Sequence, residues 1–125
     1  MEKAKVYYTK NITSESLIKI YESLGVKLTG KIGIKVSTGE AGSKGYLKAD
    51  IIAPLVKMLK GTIIECNTAY NGKRENTEDH LKVAKEHGFM DFAEVDIMDS
   101  DGEMKIPVNN GKHLQRIAEK TKKQK

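Results

Sequence analysis

The sequence has few of the residues that cross-link a chain or place it in a membrane. Among its 125 residues there is a single cysteine, Cys66, so no disulfide can form within the chain and nothing indicates an oxidising compartment. No apolar run approaches the roughly 20 residues of a membrane span, and residues 1–10 lack the apolar stretch of a signal peptide. We therefore expect a soluble, cytoplasmic protein that does not contact a membrane.

Aromatic residues are also scarce, since the chain has no tryptophan, five tyrosines and two phenylalanines. The formal net charge is +5, but the excess lies mainly at the end of the chain, from Lys112 onward. Proteins that bind single-stranded nucleic acid combine basic grooves with aromatic side chains on which bases stack, and this pattern is absent. We expect residues 120–125 to form a disordered basic tail, with no role in binding nucleic acid.

Hydrophobic spacing predicts alternating strands and helices within a single domain, residues 1–119. Alternating or short apolar runs predict strands at residues 4–9, 32–36 and 62–66, and a fourth strand that contains Val95 and Ile97. Apolar residues at three- and four-residue spacing predict helices between these strands. The expected N-caps are Thr13 or Ser14 for the first helix, Asp50 for the second, and Asn76 or Thr77 for the third.

The end of the chain is predicted to form a hairpin and a last helix. Asp101 and Gly102 are typical of a hairpin turn, and a thin apolar stripe that includes Leu114 and Ile117 predicts the helix. Alternation of strands and helices is the pattern of a mainly parallel α/β sheet. The predicted fold is a three-layer α/β domain with a mainly parallel sheet of four or five strands, helices on both faces and a short C-terminal hairpin.

Glycines are concentrated in one loop, KVSTGEAGSKGYL, which follows a predicted strand. Gly39, Gly42 and Gly45 are spaced by three, and this spacing fits neither the Walker A motif nor the dinucleotide-binding fingerprint. The loop could still present backbone amides to an anion. A flexible connection without a ligand is the equal alternative.

A second polar loop, CNTAYNGKR, follows the third predicted strand. Loops that follow parallel strands share one edge of the sheet, where α/β proteins bind ligands, so we expect the two loops to meet. Arg74 and Lys35 would contact an anion, and the other candidates would form hydrogen bonds. For Cys66, burial as a small hydrophobic residue is the alternative to reactivity. The candidate ligand-binding residues are Lys35, Ser37, Glu40, Cys66, Asn67, Thr68, Tyr70 and Arg74.

Two patterns that resemble metal sites do not fit. His80 and His87 lie seven residues apart on one predicted helix, which separates them by about 10 Å along the axis, too far to share an ion. In DIMDSDGE, Ile97 would stand at the first ligand position of a calcium loop, so a hairpin turn is favoured. We predict no metal site, although Asp96 and Asp99 could face the same loop edge as carboxylate ligands or bases.

Three segments together resemble a known family: KVSTGEAGSKGYL, IIECNTAYNGKRENTEDHLKVAKEHGF and VDIMDSDGEMKIPVNNGKHL. They are similar to the N-terminal half of the family catalogued as domain of unknown function 362, over a stretch from about Val6 to Leu114. The resemblance implies relatives that are generally longer, are described as iron-sulfur-centre proteins and often carry a ferredoxin-type cysteine cluster. It implies no established reaction.

One cysteine cannot supply the four thiolates of such a cluster. The resemblance therefore implies that this chain contributes only the α/β portion, without a cofactor of its own. It would do so as a fragment that lacks a C-terminal or ferredoxin-like part, as a shortened protein, or as one partner of an assembly. Two functions remain possible, and for neither can an enzyme reaction be assigned. One is the binding of a small polar or anionic ligand at the strand-end loops. The other is a non-catalytic structural or interaction domain, a truncated scaffold that dimerises through an exposed sheet edge.

Overall fold

Helices and strands alternate along the part of the chain that the computed structural model describes, residues 3–100, 105–107, 109, 110, 112 and 116–118. None of the helices in this part has the length and hydropathy that crossing a bilayer requires. The elements, in order, are α1 (Ser14–Ser23), β1 (Gly33–Lys35), α2 (Ala49–Leu59), β2 (Thr62–Glu65), α3 (Thr77–Glu86), a 3₁₀ turn (Phe89–Asp91), β3 (Val95–Ile97), β4 (Lys105–Pro107) and β5 (Arg116–Ala118).

The first three strands form a parallel sheet in the order β1-β2-β3. Ile34, Ile63 and Val95 lie side by side in register at its centre. Because strand order follows chain order, right-handed crossovers place α2 and α3 on the same face of the sheet. The apolar core lies between this face and the helices, and its buried residues are Val36, Ile52, Val56, Ile63 and Phe89.

The opposite face of the sheet, which we call the bare face, presents Gly33, Thr62, Ile64 and Asp96. Gly33 and Asp96 are exposed, and Thr62 and Ile64 are partly exposed. Parallel sheets are normally buried on both faces. Here the exposure of the bare face shows that no described helix covers it. The described residues thus form two layers, and the predicted second layer of helices is not found among them.

Local sequence signals set the ends of α1 and α3, and in each helix one of the two predicted N-cap candidates is the cap. Thr13 caps α1 by accepting a hydrogen bond from the Ser16 N–H at 3.2 Å, and Asn76 caps α3 by accepting one from the Asp79 N–H at 3.0 Å. Gly25 follows the C-cap of α1 with a φ of +64°, a left-handed conformation that favours glycine.

The start of α2 differs from the prediction. The helix begins at Ala49 with Lys48 as its N-cap, so the predicted cap, Asp50, is wrong and Pro54 lies inside the helix. Proline has no N–H to donate to the carbonyl four residues earlier, which here is that of Asp50. The Ser14 hydroxyl donates to this carbonyl at 3.2 Å, so α1 supplies the bond that Pro54 cannot make.

The predicted first strand is wrong, since residues 3–13 contain neither helix nor strand. Val6 and Tyr8, which would share one face of such a strand, are 88% and 79% exposed. Alternation identifies a segment that suits a strand, but a strand also needs a neighbour for its backbone hydrogen bonds. No described strand pairs with this segment.

The C-terminal predictions are only partly testable. Residues 116–118 form β5, which pairs antiparallel with β4, so the predicted last helix is wrong over these residues. A short helix with a thin apolar stripe is marginal without a surface to pack on. The predicted hairpin turn at Asp101 and Gly102, and the tail at residues 120–125, lie outside the described residues. The parallel sheet has three strands, whereas four or five were predicted.

Alanine substitutions of the two neighbouring isoleucines of β2 should lower the stability by very different amounts. Ile63 is 0% exposed, so I63A should lower the free energy of unfolding by about 3–4 kcal/mol. Ile64 lies on the bare face, and I64A should cost about 1 kcal/mol. Urea unfolding at low protein concentration measures both values. Equal losses would show that the bare face is covered.

Candidate ligand-binding site

The two polar loops meet at the carboxyl end of the sheet, as predicted. The loop after β1 contributes Glu40, and the loop after β2 contributes Tyr70 and Arg74. Glu40 Oε1 accepts hydrogen bonds from Tyr70 Oη at 2.6 Å and from Arg74 Nε at 3.0 Å, and Arg74 Nη2 donates to the same oxygen. The glycine-containing loop therefore belongs to a side-chain cluster and is more than a connection.

A buried carboxylate lies beneath this cluster. Glu65, the last residue of β2, is 4% exposed and lies on the same face as Ile63. Its Oε1 accepts from Arg74 Nη1 at 3.0 Å, and its Oε2 accepts from the Thr38 N–H at 3.0 Å and lies 3.1 Å from His80 Nε2. One side chain thus links the loop after β1, the loop after β2 and α3.

Their surroundings stabilise the charged forms of both Glu65 and Arg74. Burial raises the pKa of a carboxyl group, but hydrogen bonds from His80 and Thr38, together with the charge of His80, lower the pKa of Glu65 to about 2. Burial likewise lowers the pKa of Arg74, but Glu40 and Glu65 outweigh this and raise it. Arg74 and Glu65 therefore form an ion pair across the neutral pH range.

The fully buried side chain of His80 connects Glu65 to the loop after β3. His80 Nε2 lies 3.0 Å from Thr38 Oγ1, and Nδ1 lies 3.2 Å from Asn67 Oδ1. The Asn67 side chain donates to Thr77 Oγ1 at 3.0 Å, and its backbone N–H donates to Asp99 Oδ1 at 2.9 Å. The loops after all three parallel strands are thus joined by hydrogen bonds.

His87, the C-cap of α3, contacts the loop after β1 at two points, one of them the Tyr46 ring of that loop. His87 Nδ1 donates to the Thr38 carbonyl at 2.7 Å, and the ring of Tyr46 stacks on that of His87 with centroids 4.1 Å apart. Gly39 has a φ of +83°, and a Cβ there would come within 2.6 Å of Tyr46 Cδ1. Glycine is required at this position both for its conformation and for its size.

An open cavity of about 710 Å³ lies next to the Arg74 cluster, between the loop after β1 and the first two helices. Its polar wall includes Ser37, Glu40, Ser43, Tyr70 and Arg74. Its apolar floor includes Leu17, Ile34, Val36, Ile52 and Leu55. The cavity thus combines a polar wall with an apolar floor.

The structure brings five of the eight predicted residues to this cavity: Lys35, Ser37, Glu40, Tyr70 and Arg74. The other three have different positions. Asn67 points towards His80, and Thr68 shapes the loop, since its N–H donates to the Arg74 carbonyl at 2.8 Å. Cys66 directly follows β2 and is partly buried.

The sequence analysis did not identify Glu65 or Thr38, although the sequence contains a signal for Glu65. This residue follows Ile63 by two positions in a predicted strand, so both side chains must lie on the same, buried face. A charged residue at such a position indicates a paired carboxylate. Thr38 gives no comparable signal, because its contribution includes a backbone N–H.

The buried hydroxyl and imidazole do not form a catalytic pair. Thr38 Oγ1 lies within hydrogen-bond distance of His80 Nε2, but both residues are 0% exposed, so no substrate can reach them. In the described part of the chain, no group of three or more His, Cys, Asp or Glu side chains could hold a metal ion. The accessible chemistry of the site is that of the cavity wall, namely charge and hydrogen bonding.

These features define the chain as an α/β domain whose strand-end loops border an open cavity. A family model described as Domain of unknown function (DUF362) matches residues 32–122, which is more than half of the chain, so the chain belongs to this family. No match was found among the curated proteins or among the solved structures. The matched region includes every loop of the site, whereas α1, which supplies Leu17 to the cavity floor, precedes it.

Glu65 should make the stability of the protein depend on pH below about 5. Its pKa is about 2 in the folded protein against an ordinary value of 4.5, so the unfolded chain binds the proton first as the pH falls. The stabilisation, about 3 kcal/mol, is present above pH 4.5 and is lost as the pH falls towards 2. Urea unfolding at a series of pH values measures this loss.

The variant E65Q should be less stable at pH 7 and should show a smaller loss of stability on acidification. E22Q is the matched control, because Glu22 is an exposed glutamate of α1 outside the network, and it should keep the wild-type pH profile. An unchanged acid dependence in E65Q would contradict the assignment to Glu65.

Proposed function

We propose that this domain binds a small anionic molecule with an apolar body in the cavity at the carboxyl end of β1. The observation that carries this proposal is the position of the Arg74 guanidinium in the wall of a cavity whose floor is apolar. Its volume, about 710 Å³, lies in the range of small-molecule sites. Ligand binding at strand-end loops also agrees with the usual location of sites in α/β sheets.

Positively charged side chains lie at two positions of this wall. Arg74 offers a planar fork of donors that suits a carboxylate or a phosphate. Lys35 Nζ donates to the Val36 carbonyl at 2.8 Å and lies 3.8 Å from Glu65 Oε1, and the Lys35 side chain is 56% exposed. It can therefore turn towards a ligand without leaving a buried position. Ser37 and Ser43 add hydroxyl groups that can donate to the same anion.

The proposal is one of binding and includes no reaction. Glu65 and His80, beneath the cavity wall, are buried and form hydrogen bonds within the protein. Their arrangement positions Arg74.

A second candidate function is that of a non-catalytic interaction domain, and the bare face favours it. A shallow cavity of about 420 Å³ lies on this face. Lys31 and Lys60 lie at its border near β1 and β2, and Glu94 and Asp96 lie on the β3 side. All four side chains are exposed, and the ion pairs of the described residues do not include them.

This charge pattern fits a second copy of the chain. A two-fold axis parallel to the strands would place β1 of one copy opposite β3 of the other, so that Lys31 faces Glu94 in two equivalent contacts. Ile64, on the central strand, would then pack against its own counterpart. Within this proposal the copies meet face to face, rather than through a sheet edge.

The iron-sulfur association that the family resemblance implies is a proposal for a longer protein. Cys66 is the only cysteine of the 125 residues, and one thiolate cannot hold a four-iron cluster. We propose that the chain represents the N-terminal half of such a domain, in which another part carries the cluster.

Blocking the cavity should abolish ligand binding without unfolding the protein. Gly45 lines the cavity, and a Cβ there would meet only Ser43 Oγ, at 3.7 Å, so G45F should fill the space without backbone strain. We expect hexanoate and hexyl phosphate to shift amide resonances around the cavity of the wild type and not of G45F. A69F is the control, because Ala69 is exposed and lies outside the cavity lining. Absence of any shift in the wild type would overturn the proposal.

Self-association through the bare face should depend on salt and on one apolar side chain. Light scattering should show a dimer that forms as concentration rises and weakens in high salt, since screening reduces the Lys–Glu contacts. I64K should be monomeric at every concentration. M58K, which changes an exposed methionine of α2, should behave as the wild type. A wild type that stays monomeric would rule out this interaction.

A further inference from the structure

Every N–H donor of the Arg74 side chain already has an acceptor. Nη1 donates to Glu65 Oε1 at 3.0 Å and reaches Ser37 Oγ at 3.5 Å. Nε and Nη2 both donate to Glu40 Oε1, and Nη2 also donates to Tyr70 Oη at 3.0 Å. An anion can therefore reach Arg74 only by taking the place of one of these acceptors.

The two carboxylates on Arg74 differ in how readily they can leave. The Glu65 side chain is 5% exposed, lies on a central strand and also accepts from Thr38, so its departure would leave buried donors without a partner. The Glu40 side chain is 42% exposed and belongs to a loop with left-handed glycines on both sides, Gly39 and Gly42. Glu40 can turn into solvent, where water replaces its hydrogen bonds.

The groups around Glu40 Oε1 form a receptor for one carboxylate oxygen. Arg74 Nε and Nη2 and Tyr70 Oη all donate to this oxygen. Charge-assisted hydrogen bonds from a guanidinium to a carboxylate are among the strongest in proteins. The Glu40 side chain itself lines the cavity, so a ligand that replaced it would have its remaining atoms over the apolar floor.

We infer that the ligand of the proposed site is a carboxylic acid with an apolar body, and that its carboxylate displaces Glu40 from Arg74 and Tyr70. This inference rests on the proposed function, which requires only an anion. Glu40 acts as an internal occupant that keeps Arg74 paired when no ligand is bound. It also sets the affinity, since any ligand must compete with it.

The inference predicts that a weaker internal competitor makes the ligand bind more tightly. In E40Q a neutral amide replaces the carboxylate, and its hydrogen bonds to the guanidinium are weaker than those of a charged group. Hexanoate should then bind about tenfold more tightly than to the wild type, which corresponds to the loss of one charge-assisted hydrogen bond from the competing state. E40A should give the same result.

Calorimetric titration of the full chain with hexanoate, hexyl phosphate and 1-hexanol tests this inference. E78Q is the matched control, because Glu78 is an exposed glutamate of α3 that pairs with Lys82 away from the cavity. We expect hexanoate to bind the wild type and E78Q equally and E40Q and E40A more tightly. The affinity for 1-hexanol should be low and equal in all four proteins.

Each contrary result has its own meaning. Equal hexanoate affinity in E40Q, E40A and the wild type would overturn displacement of Glu40 and leave the proposed site intact. Tighter binding of hexyl phosphate than of hexanoate would overturn the assignment of a carboxylate. Failure of both anions to bind any of the four proteins would overturn the proposed function as well.

Discussion

The ion pair between Glu65 and Arg74 is the interaction on which the loops at the carboxyl end of the sheet depend. A carboxylate at a buried strand position is costly unless its oxygens are paired, and removing one partner of a buried pair costs about 3–5 kcal/mol. Glu65 is fixed by β2 and cannot move to its partners. Three different segments provide its partners, which are Arg74, Thr38 and His80. Their hydrogen bonds to Glu65 hold these segments in one defined arrangement.

The position of Glu65 along β2 also explains why the apolar core ends where the site begins. Ile63 and Glu65 lie on the same face, two residues apart, and β2 is the central strand of the sheet. The first lies in the apolar core, whereas the second lies among charged and polar groups. Asp99, after β3, and Thr38, after β1, are also buried. The surroundings of this face of β2 therefore change from apolar to polar within two residues.

The sequence predicted those features that depend on neighbouring residues. The caps Thr13 and Asn76 were among the predicted candidates because a capping side chain and the N–H that donates to it lie three residues apart. The meeting of Glu40 with Arg74 followed from the shared edge of parallel strands. The start of α2 was wrong because the carbonyl freed by Pro54 is satisfied by Ser14, a partner 36 residues from Asp50 that local pattern cannot reveal.

Strand order is the other property that local pattern does not determine, and it accounts for the missing helical layer. Alternation of strands and helices is compatible with any order, but right-handed crossovers cover both faces only where the order reverses. In the described sheet the order runs from β1 to β3 without reversal, so both crossover helices lie on one face. The cavity lies beside β1, an outer strand of this sheet, and not at a point of reversal. The bare face thus follows from the order of the three described parallel strands.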